Sequence, residues 1–137
     1  MAAAGRIIQL EIMTPLKNVY QGEIESLIGT ATDGLFGVLI NHAPMLAALG
    51  FGMFTIREGA GKERVFITSD GFFEINNNKA AVLVDTAEDS KEIDVERARA
   101  ARDRAEKRLK KQENVDMARA EAALHRALTR LKAAGAR

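Results

Sequence analysis

Glu88-Asp89-Ser90-Lys91-Glu92-Ile93-Asp94-Val95-Glu96-Arg97-Ala98 is the stretch where two kinds of sequence meet. Before it the chain reads as strands and turns; after it the chain reads as helix. Asp94 suits the N-cap of that helix, because its carboxylate can accept from the first free backbone N–H groups and its charge complements the positive helix end. Glu96 in the first turn repeats the signal. The same residues spell Ile-Asp-x-x-Arg-Ala. Arg97 falls one turn on from Asp94, so the helix start can also present an anion site.

Downstream, Val95, Ala98, Ala101 or Arg102, Ala105 and Leu109 recur three and four apart, which is one stripe of a helix. Gln112-Glu113-Asn114 is a polar, turn-prone break, and Ala120, Leu124, Ala127, Leu128 and Leu131 form a second stripe that ends before Gly135. The pattern predicts helices at about 94–111 and 115–133, closed into an antiparallel hairpin. Small residues let the axes approach but bury little area, at roughly 25 cal/mol per Å². The hairpin is therefore expected to be held weakly, either free to change position or simply docked.

Upstream, Ile8, Leu10 and Ile12 alternate with Gln9 and Glu11, the period of a half-buried strand. Val19-Tyr20 and Ile24–Ile28 read as the next strands, with Gln21-Gly22 as a break, and Asp33-Gly34 reads as a tight turn. Leu35–Ile40 is a continuous apolar run. Pro44 has no N–H to donate, which assigns the segment around it to a loop or a sheet edge. Phe51–Arg57, Arg64–Thr68, Phe72–Ile75 and Ala80–Val84 complete the strands, separated by turns at 59–62, 69–71 and 76–78. Short strands at near-regular spacing with no helix between them predict an antiparallel β-sandwich over residues 1–88, followed by the hairpin domain over 89–137.

Composition limits the chemistry. The 137 residues include no cysteine and only two histidines, His42 and His125, so disulfides, thiolate catalysis and cysteine-based metal sites are excluded. No apolar run approaches the roughly 20 residues that span a bilayer, and the N-terminus lacks the core of a signal peptide, so the chain is expected to stay inside the cell. The net charge of +1 hides an asymmetry. Residues 1–93 carry 7 Lys/Arg and 12 Asp/Glu, a net of −5, and residues 94–137 carry 13 and 7, a net of +6. Either the basic part meets an acidic partner or polyanion, or it is a solvated helical face.

The chain has no Gly-rich phosphate loop, no paired carboxylates in an acid/base setting and no nucleophile with a nearby histidine, so no catalytic residue is assigned. His42 reads as a turn or partner-contact residue and His125 as solvated; neither has co-ligands for a metal. The six phenylalanines are spread over the strands and read as core, so stacking recognition of single-stranded nucleic acid is not supported. The arginines of the helices remain. Arg97 and Arg104 lie seven apart, and Arg126 and Arg130 four apart; an antiparallel hairpin brings the end of the second helix beside the start of the first. Four guanidiniums there could bind a triphosphate through bidentate bonds while Asp94 and Glu88 accept from a base or ribose, and Ala98 would leave room. The plain alternative is capping, ion pairing and solvation.

Three segments in order carry a family resemblance: Gly34-Leu-Phe-Gly-Val-Leu-Ile-Asn-His-Ala-Pro-Met-Leu46, Ser69-Asp-Gly-Phe-Phe-Glu-Ile75 and Ile93-Asp-Val-Glu-Arg-Ala-Arg-Ala100. Over essentially its whole length the chain resembles the epsilon subunit of bacterial and chloroplast F-type ATP synthases. The resemblance implies a β-sandwich of two five-stranded sheets and a C-terminal helical hairpin in the rotor's central stalk, peripheral on the cytoplasmic face of the membrane. Its partners would be the gamma subunit, the c-ring and the catalytic beta subunits, with no nucleic acid. Its role would be non-catalytic: coupling proton flow to ATP synthesis and restraining hydrolysis through a mobile hairpin that reaches the acidic lower face of the beta subunits. In relatives with Ile/Leu-Asp-x-x-Arg-Ala the folded hairpin can bind ATP as a regulatory ligand, no cofactor being required. The matching positions are Glu88, Ile93, Asp94, Arg97, Ala98, Arg104, Arg126 and Arg130. Asn41, His42, Ala43 and Pro44 match a partner-contact loop; most relatives have Pro-Gly where this chain has Ile40-Asn41, and Asn, which tolerates positive φ, is expected to preserve the turn. The rival is an adaptor whose basic hairpin binds nucleic acid or an acidic protein.

Overall fold

The computed structural model describes residues 7–111 and 116–135. The chain divides into two compact units, Met1–Asp89 and Ser90–Arg137.

The first unit contains ten strands: β1 Ile8–Met13, β2 Asn18–Ile24, β3 Ser26–Ala31, β4 Gly34–Leu39, β5 Met45–Leu49, β6 Gly52–Arg57, β7 Glu63–Thr68, β8 Gly71–Asn76, β9 Lys79–Val84 and β10 Ala87–Asp89. One layer runs β10-β7-β6-β3-β4 and the other β5-β8-β9-β1-β2. A single pair at the corner, Ala31 opposite Leu49, joins them into a continuous path. Every pairing is antiparallel except β1 with β9, which is parallel. The alternation of β1 places Ile8, Leu10 and Ile12 in the core, all fully buried. Phe36, Phe54 and Phe73 come from β4, β6 and β8, and their rings contact one another with centroids 5.1–6.2 Å apart, so one aromatic cluster ties the two layers together.

Four details differ from the sequence expectation. Ile24–Ile28 is not one strand: β2 ends at Ile24 and β3 begins at Ser26, with Glu25 between them. Gln21-Gly22 does not break β2, which passes through it with Gly22 paired to Leu10. Glycine is there because a Cβ would come within 2.7 Å of the Tyr20 hydroxyl, whose ring lies along the strand. Ala87–Asp89, which lies beyond the last strand read from the sequence, is a tenth strand that pairs with Phe66–Thr68 of β7. Phe72 is not core: the period of two turns it outward from between Glu74 and Asp70, and it is 55% exposed.

The second unit begins with a short 3-10 turn at Ser90–Glu92 and continues as α1 Val95–Lys111 and α2 Met117–Ala133, 17 residues each. The Asp94 carboxylate accepts from the Arg97 N–H at 3.1 Å, and the Asp116 carboxylate accepts from the Arg119 N–H at 3.0 Å. At the far end Gly135 adopts φ +74°, the left-handed conformation that commonly closes a helix. The two helices pack along each other. The five residues between Lys111 and Met117 reach less far than the ~25 Å length of α1, so the helices run antiparallel. The expected break at Gln112-Glu113-Asn114 lies outside the described residues.

Buried Ala98 and Ala105 on α1, and Ala120, Ala127 and Leu131 on α2, form the seam. Leu128 is not in it. One residue past Ala127, it is turned by ~100° and is 47% exposed. Four alanines at ~0.8 kcal/mol and one leucine at ~2 kcal/mol give roughly 5 kcal/mol of gross burial, about half that of a five-leucine seam.

Candidate functional site

The seam fixes where the helix arginines sit. Arg97, Arg104, Arg126 and Arg130 each immediately precede a buried seam residue, Ala98, Ala105, Ala127 and Leu131 respectively. In an antiparallel pair, positions displaced in the same rotational sense from the seam fall on the same face of the hairpin. Because α1 and α2 are of equal length, Arg130 stands about level with Ala98 and Arg126 about level with Arg102. The four side chains therefore share one face over a length of about 10 Å at 1.5 Å per residue.

Arg97, Arg104 and Arg126 are exposed and make no ion pair among the described residues, while Arg130 is half-buried. The acidic side chains of α1 are engaged elsewhere: Glu96 with Arg99 at 2.9 Å, and Asp103 and Glu106 with Arg102 at 3.2 and 3.4 Å.

The remaining candidates fall as follows. Asp94 is exposed, and its carboxylate caps α1 through one oxygen, which leaves acceptor capacity on the other. Ile93 is half-buried. Ala98 is 5% exposed; its small side chain serves the close approach of the helices rather than leaving open space beside the arginines. Glu88 belongs to the sandwich unit, in β10 opposite Ile67.

The loop Asn41-His42-Ala43-Pro44 is largely exposed and lies between β4 and β5. Asn41 adopts φ +64°, the left-handed conformation that asparagine tolerates, and makes the turn there. A reciprocal contact holds it. The Asn41 N–H donates to Asn78 Oδ1 at 2.7 Å, and Asn78 Nδ2 donates to Asn41 Oδ1 at 3.0 Å. The His42 ring meets the Ala43 carbonyl through Nδ1 at 2.7 Å. Asn78 itself stands at φ +59° in the β8–β9 turn, a role that its run of three asparagines signals only as "turn".

One cluster had no sequence signal, because its members are dispersed. The Arg64 guanidinium donates to Asp89 at 2.8 Å and lies over the rings of Tyr20 and Phe66, 5.0 and 5.3 Å from their centroids. The Tyr20 hydroxyl donates to Glu58 at 2.5 Å. Burial, with the Glu58 hydrogen bond and charge, raises the Tyr20 phenol well above its ordinary pKa, and the hydrogen bond to Asp89 raises that of Arg64. The cluster pins the last residue of the sandwich, Asp89, to β7. Among the described residues there is no group of acidic or histidine side chains placed to hold a metal.

Comparison with known proteins agrees with this two-part construction. Residues 7–90 match the beta-sandwich domain of the ATP synthase Delta/Epsilon chain, and residues 91–135 match its long alpha-helix domain. Among curated relatives, the ATP synthase epsilon chain of Pelotomaculum thermopropionicum is 48% identical over 104 residues, covering 76% of this chain and 77% of that one. That of Moorella thermoacetica is 48% identical over 105 residues, covering 77% and 78%. In solved structures the same fold recurs in the Euglena gracilis mitochondrial ATP synthase, with TM-score 0.72 and 20% identity over 93% of this chain and 76% of that one. It recurs also in the central stalk/c-ring of the Tetrahymena thermophila enzyme, with TM-score 0.61 and 16% identity over 93% and 96%. With a sandwich domain, a helical-hairpin domain and the Ile93-Asp94-x-x-Arg97-Ala98 junction all in order, the chain belongs to the ATP synthase epsilon chain family.

Proposed function

We propose that this chain is the non-catalytic central-stalk subunit of a proton-translocating ATP synthase, and that its hairpin is a latch whose folded form binds ATP. The sandwich docks on a gamma-type subunit and on the c-ring through the Asn41–Pro44 loop, on the cytoplasmic face of the membrane. The hairpin, when released, carries its basic residues to the acidic lower face of the catalytic beta subunits and restrains hydrolysis. None of the described helices is long and apolar enough to cross a membrane, so membrane attachment would run through the complex.

The observation that carries the latch is the placement of Arg97, Arg104, Arg126 and Arg130 on one face of an antiparallel hairpin, over about 10 Å. Four planar, permanently charged donors within that span suit the oxygens of a triphosphate. A ligand bridging α1 and α2 stabilises the folded hairpin by mass action, about 2.7 kcal/mol at a hundredfold excess over Kd. That is a large fraction of the roughly 5 kcal/mol the seam supplies. As ATP falls, the hairpin loses this support and opens.

The test is calorimetric titration of ATP into the full chain and into an Arg126→Ala/Arg130→Ala variant. Saturable 1:1 binding that the variant loses supports the latch. Absence of binding to the native chain refutes it and leaves Asp94 as a helix cap alone. The docking reading is tested separately, by co-purification with a gamma-type subunit, and fails if no complex forms.

A further inference from the structure

The four arginines are the base of a longer row. Arg104 is followed at one and two turns by Arg108 and Lys111, and Arg126 is preceded at seven residues by Arg119, so all three continue the same face toward the closed end of the hairpin. Each of the three is exposed and makes no ion pair among the described residues. From Arg97 to Lys111 the row is about 21 Å long at 1.5 Å per residue.

Within α1 and α2 no acidic side chain shares this face, and the two N-cap carboxylates at its ends, Asp94 and Asp116, accept from the Arg97 and Arg119 backbone N–H groups. Glu96, Asp103 and Glu106 fall on the opposite side with Arg99 and Arg102, which they pair, and Glu121 falls there by its rotation from Ala120. Between the cations the surface is alanine: Ala100, Ala101, Ala122 and Ala123. The exposed apolar side chains, Met117 and Leu128, are on the other face.

We infer that this face is a track for a linear polyphosphate anion, longer than the triphosphate of ATP. An acidic helix presents one carboxylate per turn on a face, 5–6 Å apart, and gains from apolar contact. On the closed hairpin the row is denser, because two packed helices contribute to it, and it offers nothing apolar larger than a methyl group; the released hairpin of the proposed function no longer presents this combined row. Recognition of single-stranded nucleic acid uses stacking rings, and residues 94–137 contain no Phe, Tyr or Trp. A thin, flexible chain with a charge at every unit meets both conditions. The track shares its base-end arginines with the ATP reading, and its far end is independent of it.

The test compares ATP, inorganic tripolyphosphate and long-chain inorganic polyphosphate on the full chain and on an Arg108→Gln/Lys111→Gln/Arg119→Gln variant, with helix content checked by circular dichroism. The native chain is expected to bind the long chain at least ~10-fold more tightly than tripolyphosphate, at equal phosphate concentration. The variant loses that advantage, keeps its tripolyphosphate affinity within about twofold, and has a log K against log[salt] slope shallower by ~2, from three cations at ~0.7 each. Equal affinity for long and short anions, or a variant that binds the long chain as the native protein does, overturns the track. Single-stranded DNA binding as tightly as polyphosphate also overturns it. If ATP fails to bind while the long chain binds and the variant loses it, the nucleotide reading falls and the track stands.

Discussion

Replacing Arg64 by Met removes a guanidinium while keeping an unbranched stem over the Tyr20 and Phe66 rings. The lost bond runs at 2.8 Å to Asp89, and the two side chains are 30% and 13% exposed. A hydrogen bond between charged groups in such a setting contributes about 1.5–3 kcal/mol. The loss of cation–π attraction to two rings adds about 0.5–1 kcal/mol. The expected cost is therefore about 2–4 kcal/mol, much of it the penalty of leaving the largely buried Asp89 carboxylate without its bond to Arg64. For a unit of this size that corresponds to a melting temperature lower by roughly 10–25 °C. The assay is urea unfolding followed by Tyr20 fluorescence, which is specific because the chain has one tyrosine and no tryptophan. Arg64→Met/Asp89→Asn is expected to be less destabilised than the two single variants sum to, with a coupling of about 1–2 kcal/mol. A single-variant cost below ~0.5 kcal/mol, or additivity in the cycle, would refute the claim that this pair anchors β10.

Two further outcomes concern the sandwich. The raised Tyr20 pKa means that the folded state keeps a phenolic proton that the unfolded chain releases above about pH 10, so the stabilisation is complete below that pH and is lost as pH rises past it. Unfolding at pH 8.5–11 should show the native protein losing its stability advantage over Tyr20→Phe, and a constant difference across that range contradicts the assignment. Gly71→Ala should cost about 3 kcal/mol, because a Cβ there would overlap the Leu83 carbonyl oxygen in the neighbouring strand, where the backbone cannot yield. A thermal melt within a few degrees of native would show that the strand accommodates it.

The candidate residues were legible in the sequence to the extent that their roles are local. Asp94 caps α1 through a bond to a backbone N–H three residues on, and such a contact depends only on spacing. The heptad intervals Arg97–Arg104 and Arg119–Arg126 are likewise visible as numbers. Asn41 could be expected to hold a left-handed turn because its side chain tolerates that conformation, and it does, at φ +64°. Its partner Asn78 could not be read, since the pair is 37 residues apart. Ala87–Asp89 is not legible as a strand for the same reason. Three residues, two of them acidic, carry no period, and they pair because β7 is beside them and Arg64 reaches Asp89.

The sequence by itself determined the alternation of most strands, the change to a 3.6-residue period after Asp94, the turn at Asn41 and the start of α1, because each follows from the chemistry of neighbouring residues. Tertiary structure alone decided which of those residues share a surface. The short connection makes α1 and α2 antiparallel, small seam residues let them approach closely, and the rotation of each helix about that seam sets Arg97 and Arg104 on the same face as Arg126 and Arg130. The same rotation turned Glu96, Asp103 and Glu106 away from it. Which charges share a face is set by how each helix is rotated about its own axis in the packed pair, and no interval along a single helix specifies that rotation.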